Sequence, residues 1–245
     1  MSTAILVDAA FFIKRFRTLE PHNAYNAKRA ADLVCRYALL HLKQKHRLKN
    51  STSSDGYYEH RDLYRILVYD CSPISKKLHH PLTNKCIDFS KSKEAIFRNE
   101  FHAALRKKRK VALRLGVLSG DVSFTLKPSF INDLLKNKRK YDSVTENDIT
   151  ISTRQKGVDM RMGVDITTLS LKKLVKQIVL FTGDSDFVPA SKLARREGID
   201  VILDPMWLKI HDSLHEHIDG LKSVCNKIQS KSKSKVKSVK KENNK

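Results

Sequence analysis

One stretch in the second half of the chain constrains the fold more than any other. It begins with an apolar run, Gln177 to Phe181, and the turn Gly183 to Ser185. A segment with helical character, Phe187 to Glu197, and a second apolar run, Ile199 to Leu203, complete it. Gly198 lies between helix and second run, where glycine commonly ends helices. Two strands joined through a helix run parallel, so the stretch predicts a parallel sheet covered by helices.

Other segments extend this α/β pattern towards the N-terminus. Ala4 to Val7 and Leu63 to Asp70 are short apolar runs beside or ending in an aspartate, which is typical of buried parallel strands. The apolar spacing from Ala24 to Leu48 predicts an amphipathic helix. Val158 to Val175 also has the character of a helix, and Trp207 to Leu221 is predicted to form a final one.

The charge of the chain points to a polyanionic partner. The net charge is +22 and the isoelectric point is about 9.9, which favours nucleic acid first and an anionic membrane surface second. Four scattered cysteines without a Cys-x-x-Cys pair fit a reducing compartment. The N-terminus lacks a signal-peptide pattern, and no apolar run approaches the roughly 20 residues that cross a bilayer. We therefore expect a cytoplasmic protein without a membrane partner; whether it forms a homo-oligomer is left open.

Polar and basic segments interrupt the predicted domain. We assign residues 1–225 to one domain, with basic insertions near 51–62, 76–93 and 127–147. Residues 226–245 form a Lys/Ser-rich tail with almost no apolar content, which predicts disorder and weak, salt-sensitive binding to polyanions.

Four aspartates are candidates for one acidic cluster. Asp8 follows the first strand, Asp184 and Asp186 follow the strand that ends at Phe181, and Asp159 lies in the first turn of a helix. Taken singly, three of them could be helix caps or charges that favour a helix N-terminus. In parallel α/β sheets, however, ligands bind outside the carboxyl ends of the strands. Clustered carboxylates repel one another unless a cation neutralises them, so the pattern predicts a Mg²⁺ or Mn²⁺ site.

Three segments, in this order, resemble the NYN domain of the PIN-like nuclease superfamily: VDAAFF, KGVDMRMGVDITTL and FTGDSDFVPASKLARREGIDVIL. The resemblance implies a PIN-like three-layer α/β/α fold with a central, mostly parallel sheet, and metal-dependent hydrolysis of RNA phosphodiester bonds by an endoribonuclease. It also implies that Asp8, Asp159, Asp184 and Asp186 are the metal-binding, catalytic positions. Many members have Asn where this chain has Phe11.

Further residues are candidates for supporting roles. Arg154 and Lys156 are the candidate nucleic-acid contacts, and Lys156 has the stronger case because it lies close to Asp159 in the sequence. Asp165 also matches the family pattern, but helix geometry turns it about 120° from Asp159, which suggests a supporting or structural role. Asp204 ends the last strand and is assigned to the same second tier.

Two alternative functions remain open at this stage. The chain could bind RNA or another nucleic acid without cleaving it, in particular because Phe11 replaces a useful asparagine. A haloacid-dehalogenase-like phosphatase would use Asp8 as its nucleophile. That chemistry normally needs an acid two residues later, where this chain has Ala10, so the phosphatase is the weaker alternative.

Overall fold

The structure is a computed structural model that describes residues 1–47, 56–118, 122–153 and 155–227. The predictions for Arg154, for part of the first insertion and for nearly all of the basic tail concern residues outside these ranges. The strands, in chain order, are β1 (Ser2–Asp8), β2 (Lys43–Arg47), β3 (Gly56–His60), β4 (Asp62–Cys71), β5 (Lys77–His79), β6 (Cys86–Asp88), β7 (Val111–Leu118), β8 (Ser123–Leu126), β9 (Ile149–Ser152), β10 (Gln155–Lys156), β11 (Gln177–Phe181), β12 (Asp200–Leu203) and β13 (Gly220–Leu221).

Within the described ranges, seven strands form the central sheet in the order β10-β7-β4-β1-β11-β12-β13. Neighbours from β7 to β13 are parallel, and β10 is an antiparallel edge strand. The strand order grows outwards from β1 in two directions, first to β4 and β7 and later to β11 and β12. The point where the order reverses lies between β1 and β11, which is where ligands commonly bind in open α/β sheets.

Helices cover both faces of this sheet. They are α1 (Ala9–Leu19), α2 (Ala27–His41), α3 (Lys93–Arg106), α4 (Pro128–Leu135), α5 (Val158–Leu171), α6 (Val188–Arg196) and α7 (Asp212–His215). Helices α1, α2 and α3 share one buried core with the sheet, and α5 and α6 share the other. The predicted three-layer α/β/α fold with a mostly parallel sheet is therefore confirmed.

Alternation along β1 divides its side chains between the two cores. Ile5 and Val7 pack towards α1, α2 and α3, whereas Ala4 and Leu6 pack towards α5 and α6. A strand that is buried on both faces needs an unbroken apolar run, which explains why the sequence from Ala4 to Val7 is so readily assigned. The polar residue that ends this run, Asp8, therefore lies at the edge of the sheet.

One predicted helix is shorter in the structure, and two of the predicted insertions contain strand, helix or turn elements. The helix predicted from Ala24 to Leu48 ends at His41, because the polar residues that follow form β2, which pairs with β3. The segment 76–93, which has no clear period, forms a β5–β6 hairpin and a 3₁₀ turn. The segment 127–147 contains α4 and a 3₁₀ turn at Tyr141–Ser143.

The predicted final helix from Trp207 to Leu221 is wrong. Met206 and Trp207 have φ angles of 47° and 65°, in the left-handed region, so the backbone cannot start a helix there. Helix α7 is confined to Asp212–His215, and Gly220–Leu221 adds a strand next to β12. Among the described residues, the helices are too short or too polar to span a membrane.

Gly116 in β7 allows the chain to approach the sheet just before α5. A Cβ at this position would lie 2.6 Å from Cγ2 of Val158 and 2.8 Å from the carbonyl oxygen of Lys156. Atoms of a real side chain do not come so close to backbone. The position of the segment Lys156 to Val158, which leads into Asp159, therefore depends on Gly116 in β7.

We predict that Gly116→Ala destabilises the protein by about 1–3 kcal/mol, because the added methyl group overpacks the start of α5. Gly163→Ala is the matched control, since a Cβ on this helical glycine meets no atom within 4 Å. This control is expected to stabilise the protein by roughly 0.5–1 kcal/mol through helix propensity. The free energies of unfolding of both variants, measured by chemical denaturation, test these two expectations. Equal stability of Gly116→Ala and the wild type would contradict the close approach.

Candidate functional site

Asp8 joins strand β1 to helix α1. Its Oδ1 accepts hydrogen bonds from the backbone N–H groups of Ala10 (2.9 Å) and Phe11 (3.2 Å), so the carboxylate caps the helix. The side chain is partly buried at the carboxyl end of the sheet. Capping is compatible with a functional role for Asp8, because Oδ1 accepts both capping hydrogen bonds and Oδ2 accepts neither of them.

Asp159 lies in the first turn of α5 and is exposed to solvent. Gly157 precedes the helix with a φ of 79°, a left-handed conformation that glycine adopts without steric cost. Lys156, which belongs to the edge strand β10, is exposed just before this turn. The Lys-Gly pair thus brings the chain from the sheet edge into the helix that carries Asp159.

Asp184 and Asp186 occupy the turn between β11 and α6, and both are exposed. The backbone N–H of Asp184 donates to Oγ1 of the buried Thr182 at 3.1 Å. Oδ1 of Asp184 accepts from the backbone N–H of Asp186 at 3.0 Å, which caps a short 3₁₀ turn. The turn is therefore held by its own hydrogen bonds, and Asp186 also lines a groove described below.

Repulsion between these carboxylates indicates that they share one edge of the sheet. Burial raises the pKa of Asp8 to about 6, and the negative charges of Asp159 and Asp184 add to the shift against the opposing effect of the capping hydrogen bonds. The pKa of Asp159 is raised by partial loss of hydration and then by Asp184 and Asp186. The four aspartates thus interact electrostatically, although they come from the end of β1, the start of α5 and the turn after β11.

The donor set of this acidic edge, which we define as Asp8, Asp159, Asp184 and Asp186, fits Mg²⁺ or Mn²⁺ in kind. Both ions prefer carboxylate oxygens and commonly use only one or two of them together with water and phosphate oxygens. Among the described residues, no three Asp, Glu, His or Cys side chains lie close enough together to hold one metal ion. The carboxylates are therefore neighbours that repel one another, and they are not gathered into ligand distance.

A groove of about 550 Å³ between α5 and α6 adjoins the acidic edge. Asp159 and Asp186 line it together with apolar residues that include Met160, Val164 and Phe187. A second groove of about 400 Å³ is lined by Arg114, Arg161 and Asp165 and shares Met160 and Val164 with the first. The acidic edge is thus continuous with the first groove through Asp159 and Asp186, and helix α5 contributes residues to both grooves.

The second-tier residue Asp165 belongs to α5, and its side chain contacts the sheet. Its Oδ2 accepts a hydrogen bond of 2.8 Å from the hydroxyl of the buried Tyr69 and lies 3.1 Å from Nε of Arg114. Burial, followed by the charge and hydrogen bond of Asp165, raises the pKa of Tyr69. These contacts tie α5 to strands β4 and β7, which is a structural role.

The other second-tier residue, Asp204, is fully buried at the end of β12. Its Oδ2 lies 2.8 Å from Nε2 of His41 in α2, and its Oδ1 accepts from the backbone N–H of Met206 at 2.8 Å. The backbone N–H of Val224 also donates to Oδ2 at 3.3 Å. Both carboxylate oxygens of Asp204 bind groups in the protein interior. Asp204 therefore holds the C-terminal segment and does not extend the acidic edge.

Phe11 packs at the acidic edge. A Cβ added to Gly183 would lie 3.2 Å from Cε2 of the Phe11 ring, so the ring rests against the backbone just before Asp184. Phe11 also packs against the core formed with α1, α2 and α3. The sequence suggested a loss of polarity at this position, but it gave no signal for the contact with Gly183.

The raised pKa of Asp8 predicts a stability that depends on pH in metal-free buffer. The folded protein favours the neutral form of Asp8. The stabilisation that comes from this preference is therefore present below about pH 4 and is lost as the pH rises through about 6, which lowers the free energy of unfolding by at most ~3 kcal/mol. Asp8→Asn keeps the capping oxygen without the charge. We expect the free energy of unfolding of the variant to match that of the wild type at pH 4 and to exceed it at pH 7.5. Chemical denaturation in the presence of EDTA measures both values. An equal difference at both pH values would contradict the assigned cause.

Comparisons with known proteins place the chain in a family. A family model of the NYN domain matches residues 78–213, which is more than half of the chain and contains Asp159, Asp184 and Asp186 but not Asp8. Among solved structures, a protein of unknown function from Vibrio parahaemolyticus is similar at 12% identity and a TM-score of 0.40, over 92% of this chain and 93% of that one. No curated protein matches the chain. The predicted resemblance is confirmed by the family model, and the chain belongs to the NYN domain family.

Proposed function

We propose that this protein is a divalent-metal-dependent endoribonuclease whose reaction takes place at the acidic edge. The observation that carries the proposal is the mutual repulsion of carboxylates from three separate elements at the point where the strand order reverses. Membership in the NYN family supports a hydrolase of the nuclease type in general. The net charge of +22 supports a nucleic-acid substrate.

Asp8, Asp159 and Asp184 are the residues that would hold Mg²⁺ or Mn²⁺. A cation there would offset the repulsion that raises the pKa values of Asp8 and Asp159. When bound, the ion supplies Lewis-acid stabilisation of the charge that develops on the phosphate oxygens. Oδ1 of Asp8 and Oδ1 of Asp184 each accept a hydrogen bond from a backbone N–H, so their carboxylate planes are already oriented before any ion binds.

Other side chains of the edge would bind and orient the substrate. Lys156 is exposed close to Asp159, so its ammonium can contact a non-bridging phosphate oxygen. Arg161 lines the second groove and can bind the next phosphate of the strand. Asp186 lines the apolar groove, where it can accept a hydrogen bond from the attacking water or from a ribose hydroxyl. Arg154 was predicted as a further contact and lies outside the described residues.

The proposal predicts that Asp184→Asn reduces RNA cleavage on the order of 100-fold or more, the loss typical of removing a group that stabilises transition-state charge. Asparagine keeps the Oδ1 that caps the turn, so the fold should be retained. The measurement is the cleavage rate of labelled single-stranded RNA, and of DNA of the same sequence, with and without Mn²⁺. RNA affinity in EDTA is expected to stay within a few-fold of the wild type.

Asp62→Asn is the matched control for this experiment. Asp62 is exposed at the start of β4, at the opposite edge of the sheet, so its loss should leave turnover unchanged. Because both variants are purified in the same way, a contaminating nuclease would show equal activity in both preparations. Full activity of Asp184→Asn would contradict the proposed site.

Binding of nucleic acid without cleavage is a second candidate function. Two observations favour it: the described carboxylates are not gathered into ligand distance, and Phe11 stands where many relatives have Asn. RNA binding that persists in EDTA, with no product at any Mn²⁺ concentration, would support this function over the nuclease. The phosphatase alternative has no support from the family match.

A further inference from the structure

The loop that follows β12, residues 204–208, is strained and tightly held. Met206 and Trp207 are consecutive non-glycine residues with left-handed φ angles of 47° and 65°, a conformation that costs free energy at each position. Guanidinium nitrogens of Arg15 donate to the carbonyl oxygen of Met206 at 3.1 and 2.7 Å. Asp204 binds the backbone N–H of the same residue. Contacts from α1 and β12 therefore impose the strained conformation.

The strain presents Trp207 at the surface in a fixed orientation. Its backbone N–H donates to Oγ of Ser223 at 3.0 Å, and its indole Nε1–H donates to the carbonyl oxygen of Cys225 at 2.6 Å. The residue is nevertheless 47% exposed, although tryptophan is usually well buried. A large aromatic ring that is both anchored and exposed needs an explanation beyond packing.

Trp207 is close to the acidic edge. Strand β12 is the neighbour of β11, so the loop at 204–208 and the turn that holds Asp184 leave the same side of the sheet. A Cβ on Gly183 would lie 3.6 Å from Cδ2 of Leu208, the residue after Trp207. Leu208 is 45% exposed, so an apolar surface extends from the loop to Gly183, the residue before Asp184.

The surroundings of Trp207 are basic. The ammonium of Lys227 lies 5.4 Å from the centroid of the indole ring, and Lys209 is exposed two residues beyond it. An occupant of this surface must offer a flat apolar face together with negative charge, which describes a nucleotide of a single strand.

We propose that Trp207 is a platform on which one base of a single-stranded nucleic acid stacks, next to the acidic edge. The proposal rests on the proposed function, because it describes how the substrate of that site is held. Lys227 binds the phosphate of the stacked nucleotide, and the neighbouring nucleotide then extends past Leu208 towards Asp184. A base within a duplex cannot present its face in this way, so the platform selects single strands.

Trp207 is the only tryptophan of the chain, which makes its fluorescence a direct test. Wild-type protein in EDTA is titrated with oligouridylate, with an abasic strand of the same length, and with a duplex of equal charge. We expect oligouridylate to quench the emission at saturation, and the abasic strand and the duplex to bind without comparable quenching. Equal quenching by the abasic strand, or no quenching by oligouridylate, would overturn the proposal.

Substitutions provide an independent readout of affinity. Trp207→Ala is expected to weaken binding of oligouridylate about tenfold and that of the abasic strand little, whereas Trp207→Phe keeps most of the affinity because it keeps a stacking face. Tyr64→Ala is the matched control, since Tyr64 is an exposed aromatic residue near the start of β4. Unchanged oligouridylate affinity in Trp207→Ala would overturn the platform. If this variant does not fold, the wild-type titration remains decisive.

These measurements separate the platform from the nuclease proposal, because they are made without divalent metal and detect no product. Quenching without any cleavage in Mn²⁺ would support the platform and contradict the nuclease. Cleavage that depends on Asp184 but proceeds without quenching would contradict the platform alone.

Discussion

The parallel pairing of β1 with β11 is the contact on which the rest of the site depends. Its register aligns Val7 with Phe181, so the residues that follow both strands leave the sheet side by side. Asp8 and the turn that contains Asp184 come from positions more than 170 residues apart in the sequence, and this pairing makes them neighbours. Because the strand order reverses between β1 and β11, the helices after these strands diverge to opposite faces and leave the edge open.

Aspartates lie at or near the carboxyl ends of four of the parallel strands, and their surroundings separate them into two kinds. Asp70, the penultimate residue of β4, is buried and bound by Arg98 and by His102, whose Nε2 lies 2.7 Å from Oδ2. Asp204 after β12 is paired in the same way with His41. Each of these pairs joins a helix to the sheet. In the part of the chain that the structure describes, Asp8 and Asp184 form no ion pair, and they are the two at the reversal point.

Much of the fold could be predicted because its signals are local. The strands at Ala4–Val7 and Gln177–Phe181 are apolar runs, and helices α5 and α6 begin close to the predicted positions. The strand order could not be derived from composition or periodicity, since it depends on pairing between distant segments. The proposed grouping of Asp159 with Asp184 therefore relied on the general rule that ligands bind at the carboxyl ends of parallel strands and on the family resemblance, and the electrostatic interaction between the two aspartates agrees with it.

The features that the sequence did not reveal all depend on distant partners. The left-handed backbone at Trp207 is imposed by Arg15 and Asp204, so helical spacing alone wrongly predicted a helix there. Gly116 is required by Val158, which follows about forty residues later in the chain. Asp165 binds Tyr69 and Asp204 binds His41, and both partners lie far away in the sequence, where no local pattern links them to these aspartates.

The central claim is that the acidic edge is a binding site for a catalytic divalent cation. The most direct test is anomalous X-ray diffraction from crystals of the full chain soaked in Mn²⁺. The account predicts a manganese peak at roughly 2.0–2.2 Å from a carboxylate oxygen of Asp8, Asp159 or Asp184, with these side chains drawn together around it. An ordered acidic edge without a manganese peak at saturating Mn²⁺ would contradict it.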